Sequence, residues 1–173
     1  MNDMKEVFSA AVIRRRVEEL AAQIDEVYKG ETVVAVCVLK GAFPFFSDLV
    51  RAMKTDVLID FVRLASYGDR ASSSDHAQIT KDVEISREGR HVLIVEDIVD
   101  TGRSMDFLMR YFSSRGAKSI RLAALIDKKE RREFSVHSDF AGFDLPSGFI
   151  VGYGLDYAER YRTLPAIYEL LDC

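Results

Sequence analysis

With 173 residues, 48% of them hydrophobic, the chain is long enough to bury one substantial core, and we expect a single domain over residues 1–173. Charged residues of both signs make up 30% of the sequence and the formal net charge is -4. The chain thus lacks the excess of basic residues that is typical of proteins that bind nucleic acid or membrane surfaces. We therefore expect a small-molecule partner.

The two cysteines, Cys37 and Cys173, have neither the spacing of a disulfide framework nor that of a metal site, which is typical of a reducing compartment. Residues 1–6 lack the basic start and the apolar stretch of a signal peptide. No run approaches the ~18 apolar residues of a membrane span. These features together predict a soluble, cytoplasmic protein.

Helical and extended patterns alternate along the chain. Apolar residues between 12 and 27 recur at helical spacing, with Ser9 as a possible N-cap and Gly30 beyond the end. Residues 33–39 form a continuous β-branched run, which predicts a strand buried on both faces of a parallel sheet. The later predicted elements are a helix at 45–53, strands at 57–62 and 91–95, a helix at 104–114 and a strand at 120–126. This alternation predicts an α/β fold, an open and mainly parallel twisted sheet flanked by helices.

Two segments depart from this alternation. Residues 66–84 are polar and rich in turn-forming residues, which predicts a long loop of the kind that often serves as a lid. The last third, residues 140–173, contains a short apolar run at 149–151 and a predicted terminal helix at 165–171. We expect this part to cap the edge of the sheet.

Polar residues follow several of the predicted strands. They are Lys40-Gly41, Ser66-Tyr67-Gly68, Glu96 to Ser104, and Asp127-Lys128. In an open parallel sheet, ligands bind outside the carboxyl ends of the strands. We therefore expect these residues to form one site at that edge.

Three acids, Glu96, Asp97 and Asp100, lie directly after an apolar strand, where burial is costly unless a cation or hydroxyl donors compensate. Residues 100–104 then open a helix, whose N–H groups can converge on an anion. A ribose phosphate, with Mg2+ bridging its diol, would suit both the acids and the N–H groups at the start of the helix. Taken alone, the same residues also fit a helix capped by Asp100 or Thr101 and preceded by solvated acids.

Two nucleotide-binding motifs are missing from the sequence. No G-x-x-x-x-G-K-[ST] occurs, which disfavours a nucleoside triphosphatase, and no G-x-G-x-x-G joins a strand to a helix, which disfavours a dinucleotide-binding Rossmann fold. Gly152-Tyr153-Gly154 lacks the third glycine and indicates close packing instead.

The segment Glu96-Asp97-Ile98-Val99-Asp100-Thr101-Gly102 resembles the phosphoribosyl pyrophosphate signature of the hypoxanthine/guanine phosphoribosyltransferases. An acid at the Asp100 position is characteristic of the 6-oxopurine branch, whereas related pyrimidine regulators usually have a non-acidic residue there. Leu39-Lys40-Gly41 is similar to the family's pyrophosphate loop, Ser66-Tyr67-Gly68 to the start of its flap, and residues 125–128 and 149–157 to its purine-binding segments.

The resemblance covers nearly the whole chain and implies a type I phosphoribosyltransferase fold. It implies a mobile flap at about residues 66–84, and a small hood formed mainly by residues 140–173 with the N-terminal segment. It also implies a homodimer or homotetramer, while the charge balance predicts no nucleic-acid or membrane partner.

The resemblance also implies roles for individual residues. Glu96 and Asp97 would hold the ribose hydroxyls and Mg2+, and the 5-phosphate would be bound by Asp100, Thr101, Gly102, Arg103 and Ser104. Pyrophosphate would be contacted by Lys40 and Gly41, through a cis Leu39–Lys40 peptide, and by Ser66, Tyr67 and Arg162. For the purine, Lys128 would donate to O6, Phe149 would stack on the ring, Ile150 would offer backbone groups, and Asp156 would reach the base edge or a second Mg2+.

The implied reaction is a step of purine salvage. In the presence of Mg2+, phosphoribosyl pyrophosphate and hypoxanthine or guanine would give IMP or GMP and pyrophosphate, with Asp100 as general base. One alternative is an RNA-binding regulator of the pyrimidine-operon type with the same phosphate cradle, against which Asp100 and the acidic charge balance weigh. Another is an orotate or adenine phosphoribosyltransferase, which residues 125–128 and 149–156 disfavour.

Overall fold

The computed structural model describes residues 3–67 and 76–171, which form three helices and nine strands. In chain order these are β1 Met4–Phe8, α1 Ala10–Val27, β2 Thr32–Leu39, α2 Phe43–Ala52, β3 Asp56–Tyr67, β4 His76–Lys81, β5 His91–Val99, α3 Arg103–Ser114, β6 Ser119–Asp127, β7 Phe140–Asp144, β8 Ile150–Val151 and β9 Ile167–Leu170.

Six strands form the main sheet, in the order β4-β3-β2-β5-β6-β7. The pairs from β3 through β7 are parallel, whereas the edge pair of β3 and β4 is antiparallel. On central β2, Val33 and Cys37 join the core on one face, and Val34 and Val36 join the core on the other. The predicted α/β fold and the burial of this strand on both faces are therefore confirmed.

Helices cover both faces of this sheet. α1 and α2 pack on one face, where Ile13 and Val17 enter the first core, and α3 packs Leu108 into the second core on the other face. Ser9 caps α1 as predicted, because its Oγ accepts the N–H of Val12 at 3.3 Å. Within residues 3–67 and 76–171, no helix is both long and apolar enough to cross a membrane.

A second, antiparallel sheet has the strand order β1-β9-β8 and joins the N-terminal segment to the last third of the chain. The terminal helix predicted at 165–171 is wrong, because this segment contains β9. Ile167 and Leu170 have helical spacing, but both are buried in a strand that pairs with β1 and β8. Tertiary pairing therefore decides the conformation of a segment too short for its own pattern to do so.

The segment predicted as a loop, residues 66–84, begins and ends differently from the prediction. β3 continues to Tyr67 instead of ending at 62, and β4 pairs back onto it. Half-buried Ile79 in β4 lies between exposed Gln78 and exposed Thr80, the alternation of an edge strand with one solvated face. Residues 68–75 lie outside the described residues, so the flap stays a prediction.

β5 is also longer than predicted, because it continues from residue 95 to Val99 through the acidic segment. Glu96 pairs in register with Ala124 of β6, and Val99 with Asp127. The acids at 96 and 97 therefore lie within a central strand and not in the loop after it. Strand pairing on β5 holds their backbone in place.

Candidate active site

The carboxyl end of the main sheet gathers residues from three neighbouring strands. Lys40 and Gly41 follow β2, Glu96 and Asp97 belong to the end of β5, and Lys128 follows β6. The order β2-β5-β6 is continuous and parallel, so these residues lie at one edge. The edge expected from the sequence therefore exists, and cavities open along it.

The acid pair is held tightly at this edge. Glu96 is 9% exposed and its Oε1 accepts the N–H of Asp97 at 2.9 Å, while Asp97 Oδ1 accepts the N–H of Ile98 at 2.7 Å. Burial raises the pKa of the Glu96 carboxyl well above its usual range, and the neighbouring charge of Asp97 adds to this. Burial also raises the pKa of Asp97, although a hydrogen bond with Glu96 and the positive charge of Arg162 oppose the shift.

This donor set suits a divalent cation, because ionising two adjacent buried carboxyls is unfavourable without a positive charge nearby. Among residues 3–67 and 76–171, no three His, Cys, Asp or Glu side chains are grouped to hold a metal by themselves. Mg2+ is commonly bound by one or two carboxylates together with oxygens of the substrate and water. The pair Glu96 and Asp97 therefore fits Mg2+ shared with a ligand better than an all-protein metal site.

The smaller cavity, of about 140 Å3, lies at the start of α3 and is lined by Glu96 and residues 98–105. The N-cap of α3 is Gly102, with φ +85°, and it has no side chain to satisfy the first N–H groups. A Cβ there would also crowd Arg132 and Phe134. Gly102, and neither Asp100 nor Thr101, is therefore the N-cap, although Thr101 Oγ1 accepts the N–H of Arg103 at 3.4 Å. The geometry agrees with an anion site at a helix N-terminus.

Asp100 lines both the small cavity and a larger one beside it. Its Oδ2 pairs with an Arg131 nitrogen at 3.3 Å, while its Oδ1 is buried and accepts no hydrogen bond from the part of the chain that the structure describes. The Asp100 carboxylate thus stands at the junction between the small cavity at the start of α3 and the larger cavity beside it.

The larger cavity has a volume of about 600 Å3 and is lined by the segments predicted to bind a purine. Lys128 enters from the end of β6 and donates from Nζ to the carbonyl oxygen of Gly148 at 2.6 Å. Phe149 is 44% exposed, and its ring meets that of Tyr157 edge-on at 5.6 Å. Ile150 and Asp156 complete the wall, so the predicted purine-binding residues do come together.

Arg132 organises the loop between these two cavities and was not predicted from the sequence. Its guanidinium pairs with the carboxylate of Asp127, which is 5% exposed, and donates to the carbonyl oxygens of Asp100 at 2.9 Å, Val136 at 2.6 Å and Lys128 at 3.1 Å. In the sequence it belongs to a charge run that is typical of a solvated turn.

The predicted pyrophosphate residues meet on the other side of the acid pair. The Leu39–Lys40 peptide is cis, and a Cβ at Gly41 would overlap the Asp97 carboxylate. Arg162 donates to the carbonyl oxygen of Gly154 at 2.8 Å. Two predicted members of this group, Ser66 and Tyr67, have side chains outside the described part of the structure.

The positively charged side chains of this group, Lys40 and Arg162, are paired with two carboxylates of the chain. Arg162 pairs with Asp156 at 2.9 Å and with Glu159 at 3.5 Å, and Lys40 pairs with Glu159 at 3.0 Å. The hydrogen bond from Lys40 holds the pKa of the Glu159 carboxyl below its usual range. Glu159 was not predicted from the sequence, where nothing sets it apart from other exposed acids.

The fold and the site can be compared with known proteins. Residues 3–158 match the family model described as a phosphoribosyl transferase domain. The chain is 44% identical over 163 residues to the hypoxanthine-guanine phosphoribosyltransferase of Bacillus subtilis, covering 94% of this chain and 91% of that protein. It is 42% identical to that of Streptococcus thermophilus, covering 95% and 92%.

Solved structures give the same result. A hypoxanthine-guanine phosphoribosyltransferase from Bacillus anthracis superposes with a TM-score of 0.93 at 38% identity, covering 99% of this chain and 100% of that one. A hypoxanthine phosphoribosyl transferase from Trypanosoma cruzi gives 0.91 at 38% identity, covering 96% and 90%. The type I phosphoribosyltransferase fold is thereby confirmed. The chain therefore belongs to the hypoxanthine-guanine phosphoribosyltransferase family and is an enzyme of that group of transferases.

Proposed function

We propose that this enzyme transfers the 5-phosphoribosyl group of phosphoribosyl pyrophosphate to hypoxanthine or guanine, in a Mg2+-dependent reaction of purine salvage. The products are IMP or GMP and pyrophosphate. The observation that carries the proposal is the position of Asp100, which lines both the small cavity at the start of α3 and the cavity with the purine-type lining. A phosphate and a base in these two cavities would belong to one nucleotide.

In this proposal, the small cavity takes the 5-phosphate, with Thr101, Gly102, Arg103 and Ser104 around it. Glu96 and Asp97 bind the ribose hydroxyls and Mg2+; the metal, when bound, supplies positive charge against substrate oxygens. Lys40 and Arg162 neutralise the pyrophosphate as it departs.

Asp100 acts at the reacting purine nitrogen. As the bond from the anomeric carbon to this nitrogen forms, the bond from that carbon to the pyrophosphate oxygen breaks, and the carboxylate of Asp100 accepts or hydrogen-bonds the proton on the purine ring. General-base catalysis of this kind contributes roughly 10^2 to 10^4 in rate.

Lys128 and Phe149 select and orient the base. The ammonium group of Lys128 is a donor only, which suits an oxo group at position 6 of the purine and disfavours the amino group of adenine. The exposed ring of Phe149 offers a stacking surface, and the backbone of Ile150 and the carboxylate of Asp156 lie at the same wall.

The decisive experiment is an ultraviolet assay of the purified protein with phosphoribosyl pyrophosphate, Mg2+ and each purine in turn. We expect turnover of hypoxanthine and guanine, little with adenine, and none with orotate or after EDTA treatment. A protein that turned over no base and bound RNA in a salt-sensitive manner would instead be a regulator.

Two further proposals rest on the sequence and the family. They are a homodimeric or homotetrameric assembly and a location in the cytoplasm. Light scattering of the purified protein and fractionation of cells that produce it would test them.

A further inference from the structure

The two side chains that the proposed function assigns to pyrophosphate share a partner within the chain. Lys40 Nζ lies 3.0 Å from Oε2 of Glu159, and the same oxygen lies 3.5 Å from an Arg162 nitrogen. One carboxylate therefore bridges two cations that come from distant segments. Carboxylates and phosphates make the same charge-assisted hydrogen bonds to ammonium and guanidinium groups.

The turn that carries Glu159 is built in an unusual backbone conformation. Ala158, Glu159 and Tyr161 have φ values of 50°, 63° and 74°, in the left-handed region that non-glycine residues seldom adopt. Such backbone conformations are unfavourable for these residues and persist where the surrounding structure imposes them, often at functional sites.

Hydrogen bonds hold this turn in place. The N–H of Glu159 donates to Oδ2 of Asp156 at 2.8 Å, and Tyr157 and Arg160 exchange backbone bonds at 3.2 and 3.0 Å. The carboxylate of Glu159 is thus directed to the cations by a defined backbone and not by a flexible loop.

The bridge is accessible to solvent, although less so at Arg162 than at Glu159 and Lys40. The Glu159 side chain is 65% exposed and that of Lys40 is 50% exposed, whereas Arg162 is 25% exposed and is fixed by Asp156 and by the Gly154 carbonyl oxygen. An anion from solution can therefore replace the Glu159 carboxylate without unfolding the site. Exposed ion pairs of this kind are weak enough to be exchanged.

We propose that Glu159 is an internal competitor of pyrophosphate, whose carboxylate binds Lys40 and Arg162 in the free enzyme and must leave them when pyrophosphate binds. It thereby sets the affinity of the site for pyrophosphate and helps to expel this product. The inference rests on the proposed function, because that function assigns the two cations to pyrophosphate.

The test is calorimetric titration of the whole protein with sodium pyrophosphate in the presence of Mg2+. Glu159→Gln removes the competing charge and keeps the side-chain length, so pyrophosphate should bind roughly three- to tenfold more tightly, as expected for the loss of two exposed ion pairs. The matched control is Glu26→Gln, which removes the same charge from an exposed position on α1 and should leave the Kd unchanged.

Two further measurements separate competition from a purely structural role. The gain from Glu159→Gln should shrink when it is combined with Lys40→Gln, and it should also shrink at high salt, where exposed charges are screened. If Glu159→Gln does not fold, Glu159→Asp keeps the turn but shortens the reach to Lys40, and a smaller gain in affinity is expected.

The outcomes distinguish this inference from the proposed function. If the wild-type protein binds no pyrophosphate with Mg2+, the assignment of the site itself fails. If the wild type binds but Glu159→Gln binds equally or more weakly, the assignment stands and the competition is refuted, because Glu159 would then be neutral or would help to position the cations.

Discussion

Arg132 provides the most direct test of how the site is held together. Its guanidinium pairs with nearly buried Asp127 and donates to the carbonyl oxygens of Asp100, Lys128 and Val136. We therefore expect Arg132→Met to leave a buried carboxylate without its partner, a change that costs about 3–5 kcal/mol. The side chains concerned are 17% and 6% exposed, so solvent should screen the pair only slightly.

The assay is urea unfolding followed by circular dichroism, from which the free energy of unfolding and the m-value are obtained. Lys129→Met is the matched control, since Lys129 lies in the same charge run but pairs with Asp144 at the surface, with side-chain exposures of 70% and 69%. This control should change stability by no more than about 0.5 kcal/mol.

A second variant tests the cause of the loss. Adding Asp127→Asn to Arg132→Met removes the unpaired charge, so the double variant should recover part of the lost stability. If Arg132→Met lost less than about 1 kcal/mol, or if the double variant were the less stable of the two, the reasoning from a buried ion pair would be wrong.

Three further predictions concern the reaction, the close packing and the acid pair. Asp100→Asn should fold and bind phosphoribosyl pyrophosphate but lose roughly 10^2- to 10^4-fold in kcat, measured in the ultraviolet assay. Gly154→Ala should destabilise the protein and weaken binding of phosphoribosyl pyrophosphate, because a Cβ there would overlap the carbonyl oxygen of Gly41 and the residue has φ +101°. Without Mg2+, burial disfavours the ionised form of the Glu96 carboxyl in the folded state and so raises its pKa. The contribution of this carboxyl to stability should therefore be most favourable at low pH, where it is protonated, and should be lost as pH rises from the ordinary pKa of 4.5 through the raised folded-state pKa. Urea unfolding at several pH values should therefore show that Glu96→Gln gains stability relative to the wild type as pH rises.

Each of these three has a control or a contrary outcome. An unchanged kcat in Asp100→Asn would remove the general-base role. Gly89→Ala also has positive φ, at +69°, but a Cβ there meets nothing within 4 Å, so it should lose less than Gly154→Ala if close approach is the cause. A stability difference between Glu96→Gln and wild type that is the same at every pH would contradict the raised pKa.

Much of the main sheet was predictable because its segments carry strong local patterns. α1 has one apolar stripe and a capping serine, and β2 is a continuous β-branched run. The alternation of such elements restricts the topology to parallel crossovers. The segment from Glu96 to Ser104 could be singled out as a candidate binding site for a similar reason. Its acids and the glycine at the helix start lie close together in the sequence.

The small sheet and the edge strand were harder to predict because their stability comes from pairing. β9 has four residues, and β4 alternates polar with apolar side chains because one face meets solvent. Neither length nor pattern distinguishes such segments from a short helix or a polar loop. Their partners, β1, β8 and β3, are distant in sequence or separated by residues that give no strand signal.

The sequence by itself determined the fold class and the family to which the chain belongs, and it predicted an anion site at the start of α3, because each depends on residues that are neighbours along the chain. Tertiary structure alone decided the partners of the charged residues. Arg132 and Glu159 are ordinary members of polar segments until the fold places Asp127 beside one and Lys40 beside the other. The energy of a charge depends on its burial and on its nearest opposite charge, and both are set by contacts between distant segments.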